Sequence, residues 1–210
     1  MSCRPLAPHE FTRAAGHMAA SFHEDPGIRH ILPDPSRREG PLTWMMGSFL
    51  RMGARYGHVL AAGDDPLGVA VFFHSTNAVP SIPRLLRGGW GLAPLRLGLP
   101  ALVRVASCIP CLERQRTRRM PVDHVYLLSL SVAPAAHGRG LGGALLRAVL
   151  DHAVCQGLPC YLETFNHANL SFYRRHGFEL LGEAHVPGRA TIPFWCFAHP
   201  FPGNPAQPFR

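Results

Sequence analysis

The sequence predicts an α/β domain with a mixed central sheet and flanking helices, and three observations carry that expectation. Apolar residues at helical spacing alternate with short apolar runs that read as strands. One such run, His124-Val-Tyr-Leu-Leu-Ser-Leu-Ser-Val132, passes through the glycine-rich turn His137-Gly-Arg-Gly-Leu-Gly-Gly143 into a second helical pattern. The chain has 210 residues, 47% of them hydrophobic, which suits one domain with a sizeable core. That domain is expected over residues 1–199, followed by a Pro-rich tail over 200–210.

A first helix is expected over Glu10–Phe22, because Phe11, Ala14, Ala15, Met18, Ala19 and Phe22 fall on one face. It stops before Asp25-Pro26-Gly27. A second covers Pro41–Tyr56, with Leu42, Met45, Met46, Phe49, Leu50 and Met52 apolar. Gly57–Ala62 and Leu67–His74 flank the turn Gly63-Asp64-Asp65-Pro66 and read as a hairpin. From Val79 to Pro121 the chain is rich in Leu, Arg, Pro and Gly, and two short helices are expected there. The strand His124–Val132 then precedes a helix at about Leu141–Gln156, which Gly157 and Pro159 end. A short strand, Cys160–Phe165, leads to a short helix, Asn169–His176, closed by Gly177. Phe178–Val186 and Thr191–Ala198 read as two further strands.

Composition excludes several functions. All 21 basic residues are arginine, so no lysine can serve a phosphate loop, a Schiff base or base catalysis. A net charge of +8 invites a nucleic-acid reading. The arginines are dispersed, however, and the cluster Arg114, Arg116, Arg118 and Arg119 reads as a solvated helix end or loop; no nucleic-acid partner is expected. The N-terminus lacks the apolar core of a signal peptide. The most apolar long region, Gly88–Cys111, is broken by Pro94, Pro100 and Pro110 and carries Arg96 and Arg104, which disfavours a membrane span. A cytoplasmic protein with no membrane partner, monomeric or homodimeric, is expected. The cysteines are Cys3, Cys108, Cys111, Cys155, Cys160 and Cys196. Cys108-Ile-Pro-Cys111 has redox spacing but follows no thioredoxin-like strand and has no second pair to complete a zinc site. It reads as reduced thiols. The histidines are scattered, without a His-Glu-x-x-His pattern, and no metal is expected.

The glycine turn is the main chemical signal. Gly138, Gly140, Gly142 and Gly143 tolerate positive φ and close ligand approach, and the following helix N-terminus favours an anion. A phosphorylated ligand is therefore expected. Gly138, Gly140 and Gly143 match a dinucleotide fingerprint in spacing, but Glu163 is the sole acidic candidate downstream and no further βαβ units follow.

Val132-x-Pro134-x-x-His137-Gly138-x-Gly140-x-Gly142 resembles the acetyl-CoA pyrophosphate loop of the GCN5-related N-acetyltransferase (GNAT) superfamily. Asn169-Leu-Ser-Phe-Tyr173-Arg-Arg-His-Gly177-Phe178 resembles that family's second signature, about 30 residues downstream as the family has it. Leu162-Glu163-Thr164, Phe172-Tyr173, Trp195-Cys196 and Phe22 with Asp25-Pro26 are similar to the branch containing puromycin N-acetyltransferase. The resemblance implies a GNAT-like domain in which a splayed strand pair holds acyl-CoA, with acetyl-CoA as co-substrate. It implies that the amides of Gly138, Arg139, Gly140, Leu141, Gly142 and Gly143 cradle the pyrophosphate. His137 stands where the family prefers Arg or Gln, and its amide and imidazole are expected to help. Leu130, Ser131 and Val132 would lie at the splay. There Val132 pairs with the pantetheine arm, and an amide near Leu130 polarises the thioester.

By the same resemblance Asn169 holds the cofactor arm or the helix start, and Tyr173 protonates the departing thiolate. Glu163 is the candidate general base, ahead of Asp25, Glu24 and His124. The Phe22–Pro26 corner, Trp44, Tyr56 and the 79–121 insertion would shape an acceptor pocket suited to a small organic amine. The expected function is direct acetyl transfer from acetyl-CoA to a small-molecule amine, antibiotic-like in kind. Transfer to a hydroxyl or a protein N-terminus, and a non-catalytic acyl-CoA sensor, are the alternatives.

Overall fold

The computed structural model describes residues 2–79, 81–188 and 191–200; the tail expected beyond residue 200 lies outside the described residues. The chain runs β1 (Cys3–Pro5), α1 (Phe11–Phe22), α2 (Pro26–Ile31), α3 (Glu39–Tyr56), β2 (His58–Ala62) and β3 (Gly68–His74). Then follow α4 (Ile82–Arg87), α5 (Ala93–Leu97), α6 (Leu99–Arg119), β4 (Val125–Val132) and α7 (Leu141–Cys155). The last elements are β5 (Cys160–Thr164), α8 (Leu170–Arg175), β6 (Glu179–Val186) and β7 (Ile192–His199). The strands form one mixed sheet in the order β1-β2-β3-β4-β5-β7-β6. β4 and β5 are parallel, and β7 lies between β5 and β6 with antiparallel pairing to both.

Helices cover both faces. On one face α1 and α3 pack Ala14, Met18, Leu42, Met46 and Leu50 against Val69, Val71 and Phe73 of β3. Further along that face α6 brings Cys108 to Tyr126, Tyr161 and Phe194. On the other face α7 sets Leu145, Leu146 and Val149 against Phe72, Leu127 and Leu162, and α8 adds Tyr173. The apolar periodicity of α1 and α3 thus faces the sheet as the sequence predicts.

The 79–121 region departs from the expected pair of short helices. It holds α4, α5 and the 21-residue α6, which runs unbroken through Pro110. Proline inside a helix removes the N–H that would bond the carbonyl four residues back. That carbonyl belongs to Ala106, and both Ala106 and Pro110 are exposed, so water can replace the lost bond. Pro94 and Pro100 stand in the first turns of α5 and α6, where a proline is favourable. Gly98, at φ 77°, makes the corner between them. Strand β1, three residues on the sheet edge, was not expected from the sequence; its register on β2 runs from Cys3↔Ala62 to Pro5↔Leu60.

Leu145 is fully buried between α7 and the sheet. Leu145→Ala should lower unfolding free energy by about 2–5 kcal/mol in denaturant titrations with an unchanged m-value.

Candidate active site

The sheet opens where β4 meets β5. The two strands pair only at Val125↔Cys160 and Tyr126↔Tyr161, although β4 continues to Val132. On its other edge β4 stays paired with β3 as far as Val132↔Gly68. There the register shifts, so that Val71 faces Ser129 and Phe72 faces Leu127, with Leu128 the extra residue. Such a bulge bends the strand and sharpens its twist, which carries the far half of β4 away from β5. Leu130, Ser131 and Val132 all lie past the last rung.

A cavity of about 540 Å3 opens at this gap. Its walls come from α3 (Met45, Met46, Phe49, Met52), the α1–α2 corner (Phe22), Trp90 and the inner side of α6, and they are mostly apolar. Glu163, Thr164, Asn169, Tyr173, Ser129 and Asp25 are among its few polar members. Phe22 and residues of the 79–121 insertion line this cavity. Trp44 and Tyr56 do not line the cavity: Trp44 packs edge-on against Trp90 at 5.5 Å, and Tyr56 lies under the Arg84 guanidinium at 5.0 Å.

Glu163 faces the cavity from β5, with Cys196 of β7 as its cross-strand neighbour. Its Oε1 is buried and finds no hydrogen-bond partner among the described residues. Burial pushes its pKa up to about 7, against the opposing pull of the Tyr126 and Tyr161 phenols and Arg116. Arg116 cannot neutralise it fully, because its Nη2 donates to both Glu113 oxygens at 2.7 Å. The Arg116 guanidinium lies 5.7 Å from the Tyr126 ring centroid. It also meets His124 Nε2 at 3.3 Å. Arginine only donates, so Nε2 accepts and Nδ1–H donates to the Val122 carbonyl at 2.7 Å. His124 is therefore a neutral, buried side chain, its pKa pushed down to about 4 by desolvation. That makes it a structural partner of Arg116 rather than a base. The arginine cluster corrects the expectation of a solvated end: Arg114 and Arg118 are exposed, Arg116 is buried, and Arg119 is tied to the Leu181 and Glu183 carbonyls of β6.

Tyr173 projects from α8, its ring held between Phe178 and Phe197 at 5.8 and 5.7 Å. It lines the cavity, and burial first, then the nearby Asp25 carboxylate, hold its phenol well above the usual tyrosine range. Asn169 precedes α8 and donates from Nδ2 to Thr164 Oγ1 at 3.3 Å. Asp25 is spent as the N-cap of α2, accepting from the Gly27 and Ile28 amides at 2.9 and 3.3 Å. Glu24 is exposed and pairs with Arg38. The structure thus brings Glu163, Tyr173, Asn169 and Leu130 to one cavity and sets Glu24 apart. Ser129, whose Oγ is buried without a partner, joins them unforeseen; nothing in a strand-like serine marks it beforehand.

The glycine turn ends where α7 begins. Gly138 and Gly140 have φ of 76° and 77°, and a Cβ on either would meet nothing within 4 Å. Glycine is needed there for the backbone, and the space above is open. Among the described residues the N–H groups of Gly138 through Gly143 make no backbone hydrogen bond, so six donors stand at the helix N-terminus. His137 differs from the expectation. Its amide donates to the Pro134 carbonyl at 3.2 Å, and its Nε2 meets the Val132 carbonyl at 2.9 Å. The amide and Nε2 are thus engaged, because the turn Pro134–Ala136 folds the chain back over the end of β4, while the exposed imidazole's Nδ1 makes no hydrogen bond among the described residues.

The high pKa of Glu163 has a thermodynamic consequence. Its folded value of about 7 exceeds the unfolded value near 4.3, so between those values the folded state binds more protons. Wild-type stability relative to Glu163→Gln should therefore fall, by up to about 3 kcal/mol, as pH rises from about 4.5 to 7, and level off above. Urea titrations of both proteins across that range check this; parallel curves would rule it out. The comparison also cancels the opposite effect of His124, which favours unfolding as pH falls from 6.5 towards 4.

Residues 96–178 match the profile of the Acetyltransferase (GNAT) family. A stretch of 69 residues is 42% identical to the N-alpha-acetyltransferase RimI of Mycobacterium tuberculosis (strain ATCC 25618 / H37Rv), covering 32% of this chain and 42% of that protein. The chain thus spans less than half of that relative. Three solved structures share the fold along nearly the whole chain. The histone acetyltransferase HPA2 and related acetyltransferase from Corynebacterium glutamicum ATCC 13032 has a TM-score of 0.67 at 21% identity, covering 98% of each chain. Arylalkylamine N-acetyltransferase 2 from Aedes aegypti has 0.60 at 13% identity, covering 94% of this chain and 97% of that one. Drosophila melanogaster polyamine N-acetyltransferase has 0.60 at 14%, covering 94% and 98%. The matched profile runs over the parted strand, the glycine turn and the start-to-cap span of α8, so residues 96–178 resemble a GNAT-family acetyltransferase domain, and the whole chain shares the fold of the solved acetyltransferases.

Proposed function

We propose that the chain is an acetyl-CoA-dependent N-acetyltransferase that moves the acetyl group directly to the primary amine of a small molecule with an apolar body. One observation carries this reading. At the parted edge of β4 and β5, a single apolar cavity holds a carboxyl poised near neutrality, Glu163, together with a phenol kept protonated, Tyr173.

Bound acetyl-CoA supplies a thioester activated for attack by an amine. The unpaired amides of Gly138–Gly143 and the α7 N-terminus are suited to its pyrophosphate, with Arg139 exposed beside them. The edge of β4 at Leu130, Ser131 and Val132 is open to the pantetheine arm. The Val132 carbonyl already meets His137 Nε2, so His137 orders this edge, and its Nδ1 stays available to a phosphate. A backbone amide near Leu130 polarises the thioester carbonyl. Asn169 fixes the start of α8 against Thr164 and so positions Tyr173.

Glu163 takes the proton of the incoming ammonium, directly or through one water. The amine nitrogen bonds to the acetyl carbon, the carbon–sulfur bond breaks, Tyr173 gives its proton to the departing thiolate, and the extra proton left on the new amide nitrogen restores the Tyr173 phenol, while the proton on Glu163 passes to solvent. No acyl-enzyme is needed. The cavity thiol, Cys108, has its pKa raised to about 11 by burial and is a poor nucleophile at neutral pH.

The walls select among amines. A polyamine needs several carboxylates, but Asp25 is capped by amides and Glu113 is held by Arg116. One free carboxyl within a Met-, Phe- and Trp-lined cavity suits a monoamine with an apolar body. The motif likeness to the puromycin N-acetyltransferase branch points to antibiotic-like amines within that class, and the arylalkylamine N-acetyltransferase from mosquito is in keeping with it, whereas the polyamine enzyme from fly is not.

Thiol release from acetyl-CoA tests this with a panel of apolar monoamines, puromycin included, beside polyamines and peptide N-termini. Apolar monoamines should lead in kcat/KM by tenfold or more. If acetyl-CoA raises Tm yet no amine yields thiol, the chain is an acyl-CoA sensor and the proposal fails. Tyr173→Phe should lower kcat by about 10²–10⁴-fold with little change in acetyl-CoA affinity. Wild-type kcat/KM should rise with pH through about 7 as Glu163 ionises, and Glu163→Gln should abolish that inflection; persistence of the inflection assigns the base elsewhere.

A further inference from the structure

The insertion between β3 and β4 has two faces, and the cavity uses one. On α6, Leu102, Val105 and Leu112 turn inward. Leu99, Val103 and Pro110, four and seven residues apart, are exposed and do not line the cavity, while Ala106 between them is exposed at its rim. Leu99 is 70% exposed and Val103 68% exposed. The neighbouring helices continue the pattern: Leu95 on α5 is 84% exposed and Ile82 on α4 is 73% exposed, with Leu86 also exposed. Isolated surface leucines are ordinary, but a run of large aliphatics over three successive helices marks an interaction surface.

Charge says what kind. No acidic residue occurs between Asp65 and Glu113, while Arg84, Arg87, Arg96 and Arg104 do. Arg87 and Arg96 are exposed within the apolar run, and the α6 stripe ends at exposed Arg114 and Arg118. Aliphatic side chains interleaved with unopposed arginines are the pattern of helices that lie in a bilayer interface. A second copy fits poorly, since a two-fold contact would set these arginines against each other with no carboxylate from the segment to meet them. The cavity adds a further link: Val79 and Ile109 are both exposed and both line it, so its mouth opens on this same side.

We propose that α4–α6 form a docking face for an anionic lipid surface, on which the protein lies without spanning. No helix of the described residues is long and apolar enough to cross a membrane. The sequence expectation of no membrane partner rests on the absence of a span and does not bear on surface attachment. The proposal stands apart from the acetyl-transfer reading, because lipid binding is measured without acetyl-CoA or amine.

Co-flotation of the full chain with vesicles tests it. Binding is expected to phosphatidylcholine vesicles that contain phosphatidylglycerol, not to phosphatidylcholine alone, and should weaken as salt is raised. Arg87→Gln and Arg96→Gln should each weaken binding about fivefold. Leu95→Ser with Val103→Ser should abolish it; neither side chain lines the cavity, and an unchanged melting temperature would show that the fold is kept. Failure to bind the anionic vesicles, or equal binding by wild type and the double variant, overturns the proposal. So does sedimentation velocity showing a dimer that the double variant dissolves, since the face would then belong to a second copy.

Discussion

A parallel strand pair that stops after two rungs leaves backbone donors and acceptors on both strands without sheet partners, and buried groups of that kind must be satisfied somewhere. This structure keeps the defect because each strand is secured on its far side: β4 by β3 to its last residue, and β5 by β7 through Thr164. The cost of the gap is confined to one seam. Everything with chemical potential lies along it. The cavity opens at it, Glu163 and Tyr173 reach it from opposite sides of β5, and the glycine turn follows directly from the strand that bends away. Closing the sheet with a straight β4 would gain several ladder bonds and erase the cavity mouth between the strands.

The electrostatics of the seam depend on a diversion. An arginine facing Glu163 squarely would hold its carboxyl in the usual acidic range. Arg116 is instead engaged by Glu113, His124 and the Tyr126 ring, so its charge reaches Glu163 weakened. The carboxyl keeps most of its desolvation penalty and titrates near neutrality. His124, neutral by its own hydrogen bonds, supports this arrangement without adding charge. Four side chains, Tyr126, Tyr161, Arg116 and Glu113, thus act on the proton affinity of Glu163 beside its burial, and none belongs to the two sequence signatures.

What the sequence reveals follows from how local each device is. The glycine turn and the Asn169–Phe178 segment are legible because their chemistry is contained in a few consecutive residues: positive φ, free amides, an aromatic on a short capped helix. α1, α3 and α7 are legible through periodicity. The continuity of α6 past Pro110 is not, since it depends on the Ala106 carbonyl facing water. The burial of Arg116 within a run of arginines depends on where Glu113 and His124 arrive. His137 is legible as an irregular residue in the loop, but its engagement with Val132 and Pro134 depends on the tightness of a turn that spacing does not report. Trp44 and Tyr56 have the composition of a pocket wall and lie behind it. β1 is too short for its pattern to be read.

The strand order carries a consequence for how the molecule is made. β7, the last of the described strands, lies inside the sheet, between β5 and β6. It supplies Cys196 beside Glu163 and Phe197 beside Tyr173. Until it inserts, β5 and β6 have no common neighbour, and the two polar groups of the seam have no fixed backing. Such late, long-range pairing is slow relative to local helix formation. A chain emerging from the ribosome can build the α1–α3 half and the hairpin of β2 and β3 well before any competent seam exists. Insertion of β7 between β5 and β6 is thus a long-range pairing, and before it the unpaired edge of β5 is open to mispairing.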